Sequence, residues 1–272
     1  MISSNCFSQE WREEMANLIY TPAYFGPNAF PIPEVLSGKI ISEYQVEARY
    51  DYHYNPGDKT QDLYFRSLLP FGKKSALEIS GIFREYYYTS EEVRNARHAL
   101  HTNLGKGDAC YGDAIVTAMF QLVESDRWMD ILLISGLKTA SGNRLHDARH
   151  TDAASYWFSV NPGRDLFRSA DRRYSLRLAG MVGFYCYMTN LDHNRQNDAF
   201  LLGGALQSRI GNVYFEAGLR GFQGYWDEGD HPLLFATKIK YRDNNHAVYI
   251  RYQEGLDDYE YKTVSVGYIF CF

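Results

Sequence analysis

The sequence has no long hydrophobic run. Its longest aliphatic stretch, Ile131-Leu-Leu-Ile134, is four residues, and the mean hydropathy is −0.41. A membrane-spanning helix needs roughly 20 largely apolar residues, so none is encoded. Cysteine is scarce. Cys6, Cys110, Cys186 and Cys271 lie far apart and form neither a CxxC pair nor a Cys/His zinc pattern. They read as small apolar side chains, with a disulfide left open. Positive charge is not in surplus either: 28 Lys and Arg stand against 33 Asp and Glu, for a net charge of −5. With no basic stripe and no recognised motif, nucleic acid is not an expected partner. The spacings HExxH, GxSxG and GxxxxGK[ST] are missing, and no cofactor is expected.

What the chain does have is tyrosine. Aromatic residues make up 16%, with 23 Tyr against 16 Phe. That composition favours pleated strands and polar–apolar boundaries over helical bundles. From residue 40 onward, period-two segments recur at 41–54, 61–70, 75–89, 110–124, 128–140, 153–161, 173–189, 198–208, 212–225, 233–242, 246–254 and 260–272. Each is long enough to cross a bilayer as a tilted strand. The faces separate cleanly. Tyr44, Val46, Ala48, Tyr50, Tyr52 and Tyr54 oppose Glu43, Gln45, Glu47, Arg49, Asp51 and His53. The last ten residues, Thr263–Phe272, alternate as strictly and end on an aromatic residue.

A soluble sandwich would alternate in the same way, so the connections decide. Counted from the C-terminus they are by turns long and short, with a medium link at Pro162–Arg172 and a moderate one at Asn55–Thr60. Transmembrane barrels sort their loops by parity in this way and have an even number of strands. The expected fold is all-β, a transmembrane antiparallel up-and-down β-barrel of about 12 strands with both termini periplasmic. Residues 1–9 read as a signal-peptide remnant. Residues 10–39, with four of the eight prolines, read as a periplasmic lead-in or a plug, and 40–272 as the barrel.

Charges facing lipid at mid-depth cost about 2–4 kcal/mol for Arg or Lys, which sends them to the lumen. The expected lumen-lining residues are Glu43, Glu47, Arg49, Asp51, Arg66, Glu78, Arg84, Asp113, Lys138, Arg177, Glu216, Arg220, Lys238, Lys240 and Arg251. Acids gather in the early strands and bases in the later ones, so the walls are expected to carry opposite sign. They would line a polarised channel or form a salt-bridged filling. Ser90-Glu-Glu-Val-Arg-Asn-Ala-Arg-His-Ala-Leu-His101 reads as a short helix capped by Ser90. Leu145-His-Asp-Ala-Arg-His150 places two histidines at i,i+4 in an irregular loop, which favours solvated side chains over a metal site.

The chain resembles the outer-membrane β-barrel proteins of Gram-negative bacteria, whose last strand alternates and ends in Phe. Leu132-Leu-Ile-Ser-Gly-Leu-Lys-Thr-Ala-Ser-Gly142 is similar to a strand-and-loop element, Gly-Leu-Lys-x-x-x-Gly, of the barrel transporters associated with phenol degradation. The resemblance implies residence in the bacterial outer membrane and passage of small molecules. It also implies contact with membrane lipid and lipopolysaccharide, and with the barrel-assembly machinery through the C-terminal strand. Some 12-strand barrels are instead lipid or lipid A hydrolases. Candidates for such a site are Ser141, His146, Asp147, His150, Asp192, His193 and Asn194. A filled docking barrel is the third reading.

Overall fold

The computed structural model describes residues 17–100, 106–189, 191, 195–224 and 229–272. The N-terminal nine residues, together with His101, Asp192, His193 and Asn194, therefore lie outside the described residues.

Among the described residues, thirteen strands form one antiparallel sheet. They are β1 (Gln45–Asn55), β2 (Asp58–Phe71), β3 (Ser75–Thr89), β4 (Asp108–Cys110), β5 (Ala114–Val123), β6 (Asp130–Lys138) and β7 (Ser155–Arg168). There follow β8 (Tyr174–Met188), β9 (Gln196–Ile210), β10 (Val213–Gly224), β11 (Leu233–Asp243), β12 (His246–Asp257) and β13 (Lys262–Cys271). β4 and β5 both pair with β3, so they are two halves of one stave broken at residues 111–113. That leaves 12 staves. β1 pairs with β13 from Gln45↔Cys271 to Tyr54↔Lys262, and this closes the barrel and removes both sheet edges. One helix, α1 (Glu91–Ala96), lies between β3 and β4, with Ser90 Oγ accepting from Val93 N at 3.3 Å. It is shorter than the expected 90–101, because His98 turns into the left-handed region at φ 55°.

The exterior is apolar along the staves. Val182, Leu202, Leu206, Val248, Ile250 and Val266 are each about half exposed, whereas the alternate positions point inward and mix polar and small residues with apolar ones such as Met181 and Leu201. At the rim that carries Gln45 and Cys271, Phe272 stacks on Tyr44 at 5.7 Å and on Phe270 at 5.8 Å. Aromatic residues at the ends of an apolar band are the boundary pattern of membrane barrels.

The terminal rim carries the connections 72–74, 124–129, 169–173, 211–212 and 244–245; the far rim carries 56–57, 139–154 and 258–261 and the described ends of three further connections, 90–100 and 106–107, 189 and 195, and 229–232. Two expectations change. The medium link at Pro162–Arg172 shrinks, because β7 runs through Pro162 to Arg168. Its ladder to β8 lapses at Asn161 and Pro162 and resumes at Gly163↔Ala179, while the proline ring sits over Gly180. The ladder lapses where proline has no N–H to donate, and Gly180 opposite leaves room for the ring. The moderate link at Asn55–Thr60 is a two-residue turn, with Gly57 at φ 83° between paired Asn55 and Asp58.

Candidate functional site

The interior is where polar and charged side chains converge. Residues 17–44 contact walls on every side of the barrel. Gly26 N donates to Ala148 O, Asn28 reaches Asp62 at 2.9 Å and Glu85 at 2.7 Å, and Leu36 N donates to Asn161 Oδ1 at 3.0 Å. Ile40 N donates to Gln121 Oε1 at 2.7 Å, and Arg177 Nε donates to Ser37 O at 2.7 Å. The backbone passes so close to β7 that a Cβ on Gly163 would lie 1.8 Å from Ser37 O, so only glycine fits there.

Toward the far rim the interior is packed. Phe25, Phe30, Tyr185, Tyr187 and Phe222 form a chain of ring contacts with centroids 4.9–6.0 Å apart. Beside it lies a buried charge cluster. Arg149, from the 139–154 connection, donates to Glu85 at 2.8 Å, Asp58 at 2.8 Å and Thr60 at 2.6 Å. Arg97, just past α1, donates to the same Asp58 at 2.6 Å and to Tyr261 at 2.8 Å. Arg97 and Arg149 thereby tie two far-rim connections to the wall.

Toward the terminal rim a cavity of about 600 Å³ remains. Thirteen of the fifteen expected lumen residues line it: Glu47, Arg49, Asp51, Arg66, Glu78, Asp113, Lys138, Arg177, Glu216, Arg220, Lys238, Lys240 and Arg251. Two do not. Glu43 precedes β1 and pairs at the rim with Arg242 at 2.8 Å. Arg84 points outward over Tyr86 and Tyr111, because a bulge between Ile82 and Arg84 switches the inward face of β3 from even to odd positions. The same switch turns Glu85 inward, where it is fully buried.

The acids of β1–β3 do not face a bare basic wall. Arg66 pairs with Glu47 at 2.7 Å and Glu78 at 3.2 Å, and Arg49 pairs with Asp51 at 2.8 Å, so much of the expected polarity is cancelled locally. Across the closure Arg251 reaches Asp51 at 3.3 Å. Glu34, from the N-terminal segment, sits among Arg251 at 3.0 Å, Arg220 at 3.8 Å and Lys238 at 4.0 Å. Burial raises its pKa, but Lys238, Arg220, Arg251 and Arg49 together hold the carboxyl well below the usual range. Its side chain is 40% exposed and lines the cavity.

The Gly136-Leu-Lys138 element ends β6, ahead of the 139–154 connection. Lys138 is buried and donates to Asp113 at 2.9 Å, Thr151 at 3.0 Å and Ala153 O at 2.8 Å. A Cβ on Gly136 would lie 2.0 Å from the Trp157 ring, and Gly142 N donates to Asp113 at 2.6 Å. Of the hydrolase candidates, Ser141 Oγ accepts from Ala114 N and bonds Thr139 Oγ1 rather than an imidazole. His146 is half-exposed beside Asp147 at 3.2 Å. His150 is fully buried, 3.8 Å from Glu85 and 3.5 Å from Asp113. These groups do not assemble a nucleophile and base among the described residues. Glu85, Asp58, Arg97 and Arg149 were not among the sequence candidates. The i,i+4 histidine spacing did mark the loop that carries Arg149.

No family model matches the chain, and no curated protein matches it. Among solved structures it is similar to an outer membrane channel from Pseudomonas putida F1, with 11% identity and a TM-score of 0.56 over 90% of this chain and 98% of that one. It also aligns with the KdgM porin, at 12% identity and a TM-score of 0.49 over 83% of this chain and 99% of the other. A third match is the CymD monoaromatic hydrocarbon channel, at 7% and 0.42 over 95% and 98%. The first likeness establishes the fold as that of an outer-membrane β-barrel.

Proposed function

We propose that this protein is a channel for small molecules in the bacterial outer membrane. One observation carries the reading: a closed barrel, apolar outside, holds a cavity of about 600 Å³ lined by charged side chains. A barrel with an apolar exterior needs a bilayer, and an interior lined by charge suits polar or ionic solutes. In this reading the terminal rim faces the periplasm and the longer connections face outward. Membrane lipid and lipopolysaccharide surround the staves, and Phe272 closes the strand that the assembly machinery would engage. Residues 1–9 belong to an export signal, and residues 17–44 form a plug that narrows the route. The position of Gly136-Leu-Lys138 at a strand end before a long connection supports kinship with the transporters associated with phenol degradation.

A second reading, a filled barrel that docks a partner through its far-rim connections, is favoured by the packed rings and the Arg149 cluster. Planar-bilayer recording decides between the two. Discrete conductance steps from the purified protein are expected. Their complete absence, also with Phe25 and Phe30 both replaced by Ala, would overturn the channel in favour of the filled barrel.

A further inference from the structure

Among the described residues, ten Lys and Arg line the cavity, against six Asp and Glu. Most of these cations are accounted for. Arg49, Arg66, Arg251, Arg220, Lys238 and Lys138 have carboxylates within 4.0 Å on the lining itself. Arg177 and Lys39 are met by Asp130 behind the lining, and Arg177 also by Asp165. Two cations remain. Arg209 gives its Nε to Gly211 O at 2.9 Å, and no carboxylate lies within ion-pair distance of Arg209 or Lys240 among the described residues. Both belong to one cross-strand row, Arg209↔Tyr214↔Lys240↔Tyr249, on β9 to β12. The Arg209 guanidinium lies 5.2 Å and the Lys240 ammonium 4.8 Å from the centre of the same Tyr214 ring. Their separation is therefore no larger than the sum of those two distances.

We propose that Arg209 and Lys240, with Tyr214 between them, form the binding station of the cavity for a small dicarboxylate anion. Two lumen cations with no carboxylate within ion-pair distance are electrostatically incomplete: Glu216 acts on Lys240 only from beyond that distance and is engaged by Lys238 at 3.9 Å. A ligand that brings two negative charges completes them, because charge-assisted bonds inside a protein lumen are stronger than the same bonds in open water. An acidic side chain would have filled the same role had the station been structural, as Asp113 does for Lys138 and Glu34 does for Arg251. Tyr214 holds the two heads together by cation–π contact without neutralising either. One carboxylate suits the Arg209 fork, and the other the compact Lys240 ammonium. The proposal rests on the channel reading for its purpose, but the site can be measured apart from conduction.

Calorimetric titration of the detergent-purified protein with succinate tests it, with uncharged succinamide as the control. Saturable succinate binding is expected, with succinamide silent, and the double variant Arg209→Gln, Lys240→Gln is expected to weaken it tenfold or more. These positions face the lumen, and the glutamines preserve length and polarity, so heat-modifiable migration should be retained. Absent succinate binding, or binding unchanged in the double variant, would overturn the station. Succinate binding without bilayer conductance, also with Phe25 and Phe30 both replaced by Ala, would leave the station standing and remove the channel. Conductance without succinate binding would do the reverse.

Discussion

Arg149 offers a direct test of how the far half of the barrel is held. It is fully buried, comes from a connection rather than a strand, and joins three partners at 2.6–2.8 Å: Glu85, Asp58 and Thr60. Its guanidinium also lies 4.5 Å from the centre of the Tyr87 ring, and Gly26 packs against it from the N-terminal segment. Arg149→Ala leaves two carboxylates in a site with little water. Breaking a buried pair by removing one partner costs about 3–5 kcal/mol. Arg97 still donates to Asp58 at 2.6 Å, and Asn28 still donates to Glu85 at 2.7 Å, which places the expected loss near the lower figure. Arg149→Lys keeps the charge but loses the planar fork, so it should fall between wild type and alanine. Urea unfolding in lipid vesicles reads the stability, and protease nicking of residues 139–154 reads the release of the connection. A loss below about 1 kcal/mol in both variants, the size of an exposed pair, would refute the buried-latch reasoning. So would a connection that stays protected from protease in Arg149→Ala.

Three further outcomes follow from the same physics. Gly136→Ala puts a methyl group 2.0 Å from Trp157, so overpacking should cost about 1–3 kcal/mol and shift the tryptophan near-ultraviolet dichroism; an unshifted spectrum at full stability would contradict the contact. Val182→Lys, midway along β8 on the outward face, should cost about 2–4 kcal/mol in vesicles, whereas a neutral effect would argue that this face does not meet lipid. The depressed pKa of Glu34 means that its pairing stabilises the folded state above the unfolded carboxyl value of about 4.3 and is lost only as pH falls through the lower folded value. Protease access to residues 17–44 should therefore stay constant from neutral pH down to that range; release near pH 6 would exclude Glu34 as the anchor.

Much of the barrel was legible because a strand writes its two faces directly into its sequence. The segment 75–89 coincides with β3, and the faces read for the first strand match the inward and outward sides of β1. Legibility failed where one residue changes parity. Arg84 sits at an even position like Glu78 and Ser80, and nothing local to it signals the bulge that turns it outward. Pro162 misled in the other direction, since a proline looks like a strand end until Gly180 is known to lie opposite.

What the sequence determined alone is periodic: 12 bilayer-length staves, their apolar exterior, their polar interior and an aromatic final residue. Each of these depends on residues a few positions apart. What only tertiary structure decided is the filling. Asp58, Glu85 and Arg149 are separated by dozens of residues and come together because barrel closure and an inward-folded connection place them in one site. Likewise Arg209 and Lys240 share a tyrosine only because β9, β10 and β11 are in register, and register belongs to pairs of strands rather than to either sequence alone.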